Sequence, residues 1–427
     1  MTASNALPGF RDFYPEDLAV RAHIVRTWRE TARRYGFEEY DGPPLEPLQL
    51  YVEKSGPEIV QQLYSFTDKG KREVALRPEM TPTLARMVGA RANGLRKPIR
   101  WFSVPQLFRY ERQQRGRLRE HFQFNLDIVG EEGVAADAEL LAAAIDTLRA
   151  FGLSETDFVA RVSDRRLLRA LLLHAGVPEE SLTLVYNIVD KVERDSEEVV
   201  SARLTGEAYL VPETTARVMG IFRQRDWEAV RRTYEEIPGV AQEIARMTEC
   251  FALLDAMGLG GYVRFDLSVV RGLAYYTGIV FELFDTRGEL RAICGGGRYD
   301  GLLEQVAGVN LPALGFGMGD VVLRELLAER GLLPGKAREI DFYLIPVTPQ
   351  QRPAMLGLAH RLRDAGFAVE YGFRAQGVGK QFRNASGAGA RRTVVLGPEE
   401  VADGVVVVKE MASGEERRLP ADELLRP

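Results

Sequence analysis

Apolar residues Ile24, Val25, Trp28, Ala32 and Tyr35 recur at helical spacing, and Gly36 follows; the pattern predicts a helix that the glycine ends. FEEYDGPPLE reads as a strand interrupted by prolines. From there to Gly130 short strands and helices alternate. Within this stretch RWFSVPQLF and FQFNLDIVG are apolar, aromatic and β-branched, and they flank a basic, glycine-containing segment. Strand, basic loop, strand is the expectation there. An alanine-rich helix is predicted over Ala138–Phe151 from the ladder Leu141, Ile145, Leu148, and DFVARVSD alternates as a strand. From about Arg165 to Gly258 the pattern is charged and helical throughout, which marks an insertion. Strand patterns return at GYVRFDLSV, GIVFELF and LRAICGGG, so the first sheet resumes after the interruption. RGLLPGKARE, residues 330–339, is a Gly/Pro linker dividing a first domain, 1–329, from a second, 340–427. In the second, DFYLIPV, FAVEYGF, RTVVLG and GVVVVKE are short apolar strands, the earlier ones separated by helical segments, which predicts an α/β domain with a largely parallel sheet.

Composition narrows the possibilities. The chain has 427 residues, 45% hydrophobic and 27% charged, in the range of globular proteins with ample core. The net charge of −5 excludes a general polyanion binder, so a nucleic-acid surface has to be a local patch. Cys250 and Cys294 are too few for a disulfide framework, and four scattered histidines make no zinc motif. No metal site is expected. The N-terminal segment has no signal-peptide pattern and no stretch is apolar enough for a membrane span; a cytoplasmic protein is the expectation.

Local chemistry then stands out in order along the chain. LRPEMTPTLARM (76–87) places Glu79 and Thr81 two apart. If extended, they share a face suited to gripping an ammonium group; the alternative is a helix entry capped by Thr81 or Thr83. The segment from Arg109 to Phe124 packs Arg109, Arg112, Arg115, Arg117 and Arg119 into eleven residues. A solvated charged face is the ordinary meaning of such a run, but two apolar strands flank it. DLSVVRGLAYYTGIVFELF (266–284) sets Arg271 in a glycine-flanked loop before a predicted strand, with Tyr275 and Tyr276 adjacent and so on opposite sides of it. AICGGGRYDGL (292–302) lets backbone approach a ligand, or forms a bulge or tight turn. ALGFGMGDVVLRELL (313–327) is a glycine-rich strand entering a helix, where glycines permit close packing. Neither glycine run matches a phosphate-loop or dinucleotide fingerprint.

In that order, RPEMT, FRYER…GRLRE, RGLAYYTGIVFE, GGGRYDGL and GFGMG resemble the class II histidyl-tRNA synthetases over nearly the whole chain. The resemblance implies an α+β fold: a class II antiparallel sheet with flanking helices, a helical insertion and a C-terminal α/β anticodon-binding domain. It implies a homodimer that joins histidine to ATP, with Mg2+ carried by the ATP, and then esterifies tRNA(His). Glu79, Thr81 and Gln123 would bind the amino-acid ammonium. Arg109 and Arg271 would flank the α-phosphate, with Glu111 near adenosine and Arg117 on phosphate. Asp127 and Tyr276, with Tyr275 and Tyr299 shaping the pocket, would select the imidazole. Arg112, Gln113, Gln114 and Arg115 would meet the tRNA acceptor end, and Lys380, Gln381 and Arg383 are candidates to face RNA, a solvated helix face being the alternative.

The chain departs from common family forms at three places. Asp127 stands where many members have Glu, Ala274 where many have Asp, and Val322 at about the position of an arginine that stacks on adenine; Arg324 is out of register with it. Two rival readings stand beside this one. One is a histidine-sensing regulatory paralogue of ATP phosphoribosyltransferase; such paralogues typically lose catalytic arginines and the anticodon domain, whereas Arg109, Arg271 and a C-terminal α/β domain are present here. The other is a pure RNA-binding module, against which the small-molecule motifs argue.

Overall fold

The computed structural model describes residues 6–52, 62–112, 114–189, 195–269, 276–335 and 340–426. Gln113, Arg271, Ala274 and Tyr275 lie outside them. The chain divides into two compact units, Met1–Leu333 and Pro334–Pro427.

The strands of the first unit are β1 (Glu38–Glu39), β2 (Leu45–Pro47), β3 (Tyr64–Thr67), β4 (Glu73–Leu76), β5 (Ile99–Ser103), β6 (Gln106–Phe108), β7 (Glu120–Val129), β8 (Phe158–Asp164), β9 (Val263–Phe265), β10 (Ile279–Asp285), β11 (Cys294–Arg298) and β12 (Ala313–Gly319). Nine of them form one sheet in the order β1-β5-β7-β12-β11-β10-β8-β9, with β6 pairing the start of β7. All neighbours are antiparallel except β1–β5 and β8–β9. The β8–β9 exception has a topological cause. Between these strands the chain makes a long excursion through helices such as Arg165–His174, Pro212–Arg223 and Ala241–Ala256, and a crossover of that kind lets it return parallel to the strand it left. A separate antiparallel sheet, β2-β4-β3, lies in the same unit.

Strand alternation gives the large sheet two unlike faces. Phe124, Leu126 and Ile128 of β7 and Phe316 of β12 point into the main core with Trp28 of the helix Pro15–Arg34 and Leu141, Ile145 and Leu148 of the helix Val134–Arg149. Trp28 stacks on Phe124 at 5.7 Å, and Phe124 meets Phe316 edge-on at 5.4 Å. The helix predicted over Ala138–Phe151 thus begins and ends earlier, because Gly133 precedes its first turn in extended conformation. The opposite face carries the polar residues of β7. There Ile99, Val129, Val280 and Ala313 close a smaller core with Leu84, Ala85 and Val88 of the helix Thr81–Arg91.

The second unit holds β13 (Ile340–Pro346), β14 (Val369–Tyr371), β15 (Ala390–Leu396), β16 (Val405–Glu410) and β17 (Glu416–Pro420), ordered β14-β13-β15-β16-β17. The helices Arg352–Asp364 and Val378–Ala388 cover opposite faces. The largely parallel sheet expected from the sequence is corrected here. Only β14, β13 and β15 are parallel, while β15–β16 and β16–β17 are antiparallel. The connection from β15 to β16 holds only the short helix Pro398–Asp403, too little for a crossover, which takes about a dozen residues.

Candidate active site

Strand β7 organises the site. Its alternation puts His121, Gln123, Asn125 and Asp127 on the face away from the main core. The neighbouring strands leave that face open. Asp127 is opposite Trp101 of β5 and Gly315 of β12, Asn125 opposite Ser103 and Gly317, and Gln123 opposite Gly319. A Cβ on Gly315 would stand 2.0 Å from Asp127 Oδ1, and one on Gly317 2.8 Å from Gln123 Cδ. The β12 glycines therefore make room for β7 side chains to lie across the sheet. This differs from the helix-packing role expected of them. Gly296 and Gly297 of β11 are closed by neighbouring strands: their Cβ atoms would meet Phe316 at 2.5 Å and Val280 at 2.7 Å.

At the inner end of this floor Asp127 is buried and accepts a 2.5 Å hydrogen bond from the Tyr299 hydroxyl. Burial pushes its carboxyl up to about 7, against the partial relief of the tyrosine. Tyr276 is buried in the same small core as Tyr299. It precedes β10 and does not belong to it, so the paired-tyrosine strand is corrected on this side: β10 starts at Ile279. Arg298, next to Tyr299, is clamped at 2.5 Å by the buried Asp137, which ties β11 to the helix Val134–Arg149.

The outer end is cationic. Arg109 follows β6, and its Nε donates to the Pro78 carbonyl at 2.8 Å; its Nη groups have no partner among the described residues. That bond brings Arg109 beside Glu79, which is itself buried. Thr81 is the first residue of the helix Thr81–Arg91, so Glu79 and Thr81 do not share an extended face. The helix entry is real but no side chain caps it: Thr83 lies within the helix and donates to Glu46 at 3.1 Å. Arg117 pairs with the buried Glu111, and Arg119 lies over the Tyr110 ring at 4.2 Å. His121 faces Arg109, Arg11 and Arg117. Burial first, and those guanidiniums second, push its imidazole down to about 3, so it stays neutral.

The basic loop folds over this end. Gln114 and Arg117 bridge across a turn whose Gly116 has φ 71°. Arg115 pairs with Glu325 at 3.3 Å and Glu329 at 2.6 Å on the helix Asp320–Glu329. Arg291 donates to Gln114 at 2.8 Å, whereas Arg112 is exposed. A Cβ on Gly116 would lie 3.2 Å from Val322, so the loop rests on the residue at which the resemblance led to the expectation of an arginine. Arg324 is engaged with Asp17 at 2.5 Å. Arg109, Glu111, Arg117 and Gln123 thus share one region with Glu79, and Asp127, Tyr276 and Tyr299 share another on the same face. His121, Ser103 and Tyr40 were not picked out from the sequence; for His121 the signal was its two-residue spacing from Gln123.

A mostly antiparallel sheet with one glycine-paved polar face, a basic hairpin above it, a helical insertion and a separate α/β unit is the architecture of a class II aminoacyl-tRNA synthetase. The histidyl-tRNA synthetase of Nostoc has the same fold, with a TM-score of 0.84 at 24% identity over 99% of this chain and 98% of that one. The chain belongs to the histidyl-tRNA synthetase family: the family model matches residues 9–320, and an anticodon-binding domain model matches 341–426. It is 45% identical to the histidine–tRNA ligase of Opitutus terrae over 99% of this chain and 98% of the relative. It is 41% identical to the chloroplastic/mitochondrial histidine–tRNA ligase of Arabidopsis thaliana over 98% and 86%.

Proposed function

We propose that the protein is a histidine–tRNA ligase, which activates histidine with ATP and passes it to tRNA(His). What carries this is the sheet face itself: Asp127 of β7 meets the Tyr299 phenol at one end, and His121 of the same strand faces an arginine cluster at the other. Six residues of strand separate the two ends, about 20 Å, enough to lay an amino acid and a nucleotide end to end.

Histidine enters with its ring toward Asp127, Tyr299 and Tyr276, and with its ammonium toward Glu79, Thr81 and Gln123. Its carboxylate oxygen attacks the α-phosphorus of ATP, the bond to pyrophosphate breaks, and histidyl-adenylate remains. Arg109 bears on the α-phosphate, and Arg117, held by Glu111, bears on phosphate beside adenosine. Arg271 is assigned the opposite side of the phosphorus, and Tyr275 a wall of the ring pocket, on their sequence motif. Guanidiniums suit this task because they stay charged and fork onto phosphate oxygens. Mg2+ comes and goes with the phosphates of ATP. A ribose hydroxyl at the tRNA end then attacks the acyl carbon and AMP leaves, with Arg112, Gln114 and Arg115 against the acceptor end. The second unit takes the anticodon, with Lys380 and Arg383 exposed on the helix Val378–Ala388; Gln381 is buried and spent on the Pro346 and Gln376 carbonyls. The working form is a homodimer of the cytoplasm. Leu45, Phe66 and Tyr110, exposed on and beside the small sheet, support a second copy.

The test is histidine-dependent exchange of labelled pyrophosphate into ATP. Exchange with histidine alone among the amino acids is expected. Histidine binding without exchange would instead favour the regulatory paralogue, against which the full-length match to ligases and the anticodon-domain match already weigh.

A further inference from the structure

Beside Asp127, on the side away from Tyr299, two hydroxyls are buried without a hydrogen-bond partner. They belong to Tyr40 and Ser103. Ser103 is wholly inaccessible, on β5 opposite Asn125, and so on the same face as Asp127. Tyr40 leaves β1 with its amide bound to the Phe102 carbonyl at 2.8 Å, and its ring lies against Trp101 at 5.4 Å. Trp101 is the direct cross-strand neighbour of Asp127. Tyr40 packs against the same small core as Tyr276 and Tyr299. Burial, and then the nearby Asp127 carboxylate, hold its phenol protonated, while the Ser103 hydroxyl, close enough to act as a hydrogen-bond partner though outside bonding geometry, acts in the other direction. The phenol is therefore a donor close to both groups. Its position is fixed from below. Arg77, itself buried, bonds Asp41 and the Gly42 carbonyl at 2.7 Å each, which pins the residues just after Tyr40.

An unpaired buried hydroxyl costs about 1–3 kcal/mol, and even a bond drawn between these two would leave one donor unused, so the pair needs a reason. We propose that Tyr40 and Ser103 are specificity-determining residues of the amino-acid pocket, whose hydroxyls complete the hydrogen bonding of the imidazole ring that Asp127 receives. The aspartate reaches one methylene less far than the glutamate common at its position, and the tyrosine brings a polar group in from the other side. A ring lacking nitrogens would leave the Tyr40–Ser103 pair with a donor unused and Asp127 with Tyr299 alone, which is how a hydrogen-bonding site rejects an apolar analogue.

This assignment rests on the histidine-activation reading above, and the experiment separates the two. Wild-type exchange with histidine is measured first, and its absence would sink that reading before any variant is made. Tyr40→Phe and Ser103→Ala are then compared with wild type. The expected result for Tyr40→Phe is a KM for histidine raised about tenfold or more, with kcat and the KM for ATP within about twofold. Melting temperature should be unchanged or higher, since an orphan hydroxyl is removed. In an Asp127→Asn background the effect of Tyr40→Phe should shrink, because the groups act on one ring. An unchanged KM for histidine in both variants overturns the proposal. So does a parallel rise in both KM values with a lowered melting temperature, which would make the pair merely structural.

Discussion

Asp127 is buried, accepts one short hydrogen bond from Tyr299, and is held up to about 7 by loss of water. Its proton is thus retained in the folded protein over a pH range in which the unfolded chain, with an ordinary value of 3.8, has lost it. The sign follows by linkage. This group's contribution to stability is fully present below 3.8 and is lost as pH rises to and through about 7, a span worth at most about 4 kcal/mol. Asparagine keeps the size and the acceptor for Tyr299 but cannot ionise. Asp127→Asn is therefore expected to melt higher than wild type at pH 8 and by a smaller margin at pH 5, while its KM for histidine rises more than its KM for ATP. Thermal melts at the two pH values check the first half and exchange kinetics the second. A margin independent of pH would show that Asp127 is already ionised in the free protein. If the margin grows with pH as expected, stability and recognition are in conflict at one carboxylate, as is common where a site holds a buried charge for a ligand.

At the scale of elements, β7 and β12 work as a pair: one supplies side chains, the other supplies their absence. Gly315→Ala tests this directly. Its Cβ would meet Asp127 Oδ1 at 2.0 Å and the Leu126 carbonyl at 3.0 Å, and backbone cannot move aside as a side-chain tip can. The expected outcome is a loss of about 1–3 kcal/mol of stability from overpacking together with a KM for histidine raised about tenfold or more; denaturant melts and exchange kinetics read both. A variant with wild-type KM would mean that Asp127 has other room. The same pair shows how far the sequence could be read. FQFNLDIVG and ALGFGMG were legible as strands because their core-facing residues alternate, and the helical insertion because its pattern never does. The purpose of the β12 glycines was not legible, since it depends on which residue sits across the sheet. Tyr40 was missed because it stands in a segment broken by prolines, and its neighbours Ser103 and Trp101 are some sixty residues away. β17 was missed because it is an exposed, charged edge strand with no apolar alternation. The candidate site residues Arg109, Gln123, Asp127 and Tyr299 came from motif order, and what folding added was that β7 carries the whole row from His121 to Asp127 on one face.

At the scale of the whole molecule, two RNA contacts are expected on two separately cored units, and they should come apart. The first unit, Met1–Leu333, contains the entire polar sheet face and the basic loop; the second has its own two cores on either side of its sheet. A chain ending at Leu333 should still form histidyl-adenylate, because no residue assigned to that step lies beyond it. Its charging of tRNA should fall by about a hundredfold or more, since a bidentate ligand held at both ends is reduced to one. Replacing Arg112 and Arg115 with alanine in the full chain should do the reverse: adenylation largely kept, transfer impaired. Arg115 is paired with Glu325 and Glu329 in the free protein, so it must exchange carboxylates for phosphates when RNA arrives. The exposed Arg112 has no such exchange to make, and its loss should weaken binding more simply. Each phosphate contact removed should lower the salt slope of tRNA binding by about 0.7–0.9, depending on whether single-stranded or paired RNA is touched. Filter binding across a salt series measures the slope, and single-turnover transfer from preformed adenylate measures the chemistry. If the truncated chain charges tRNA as well as the full one, the second unit reads no anticodon.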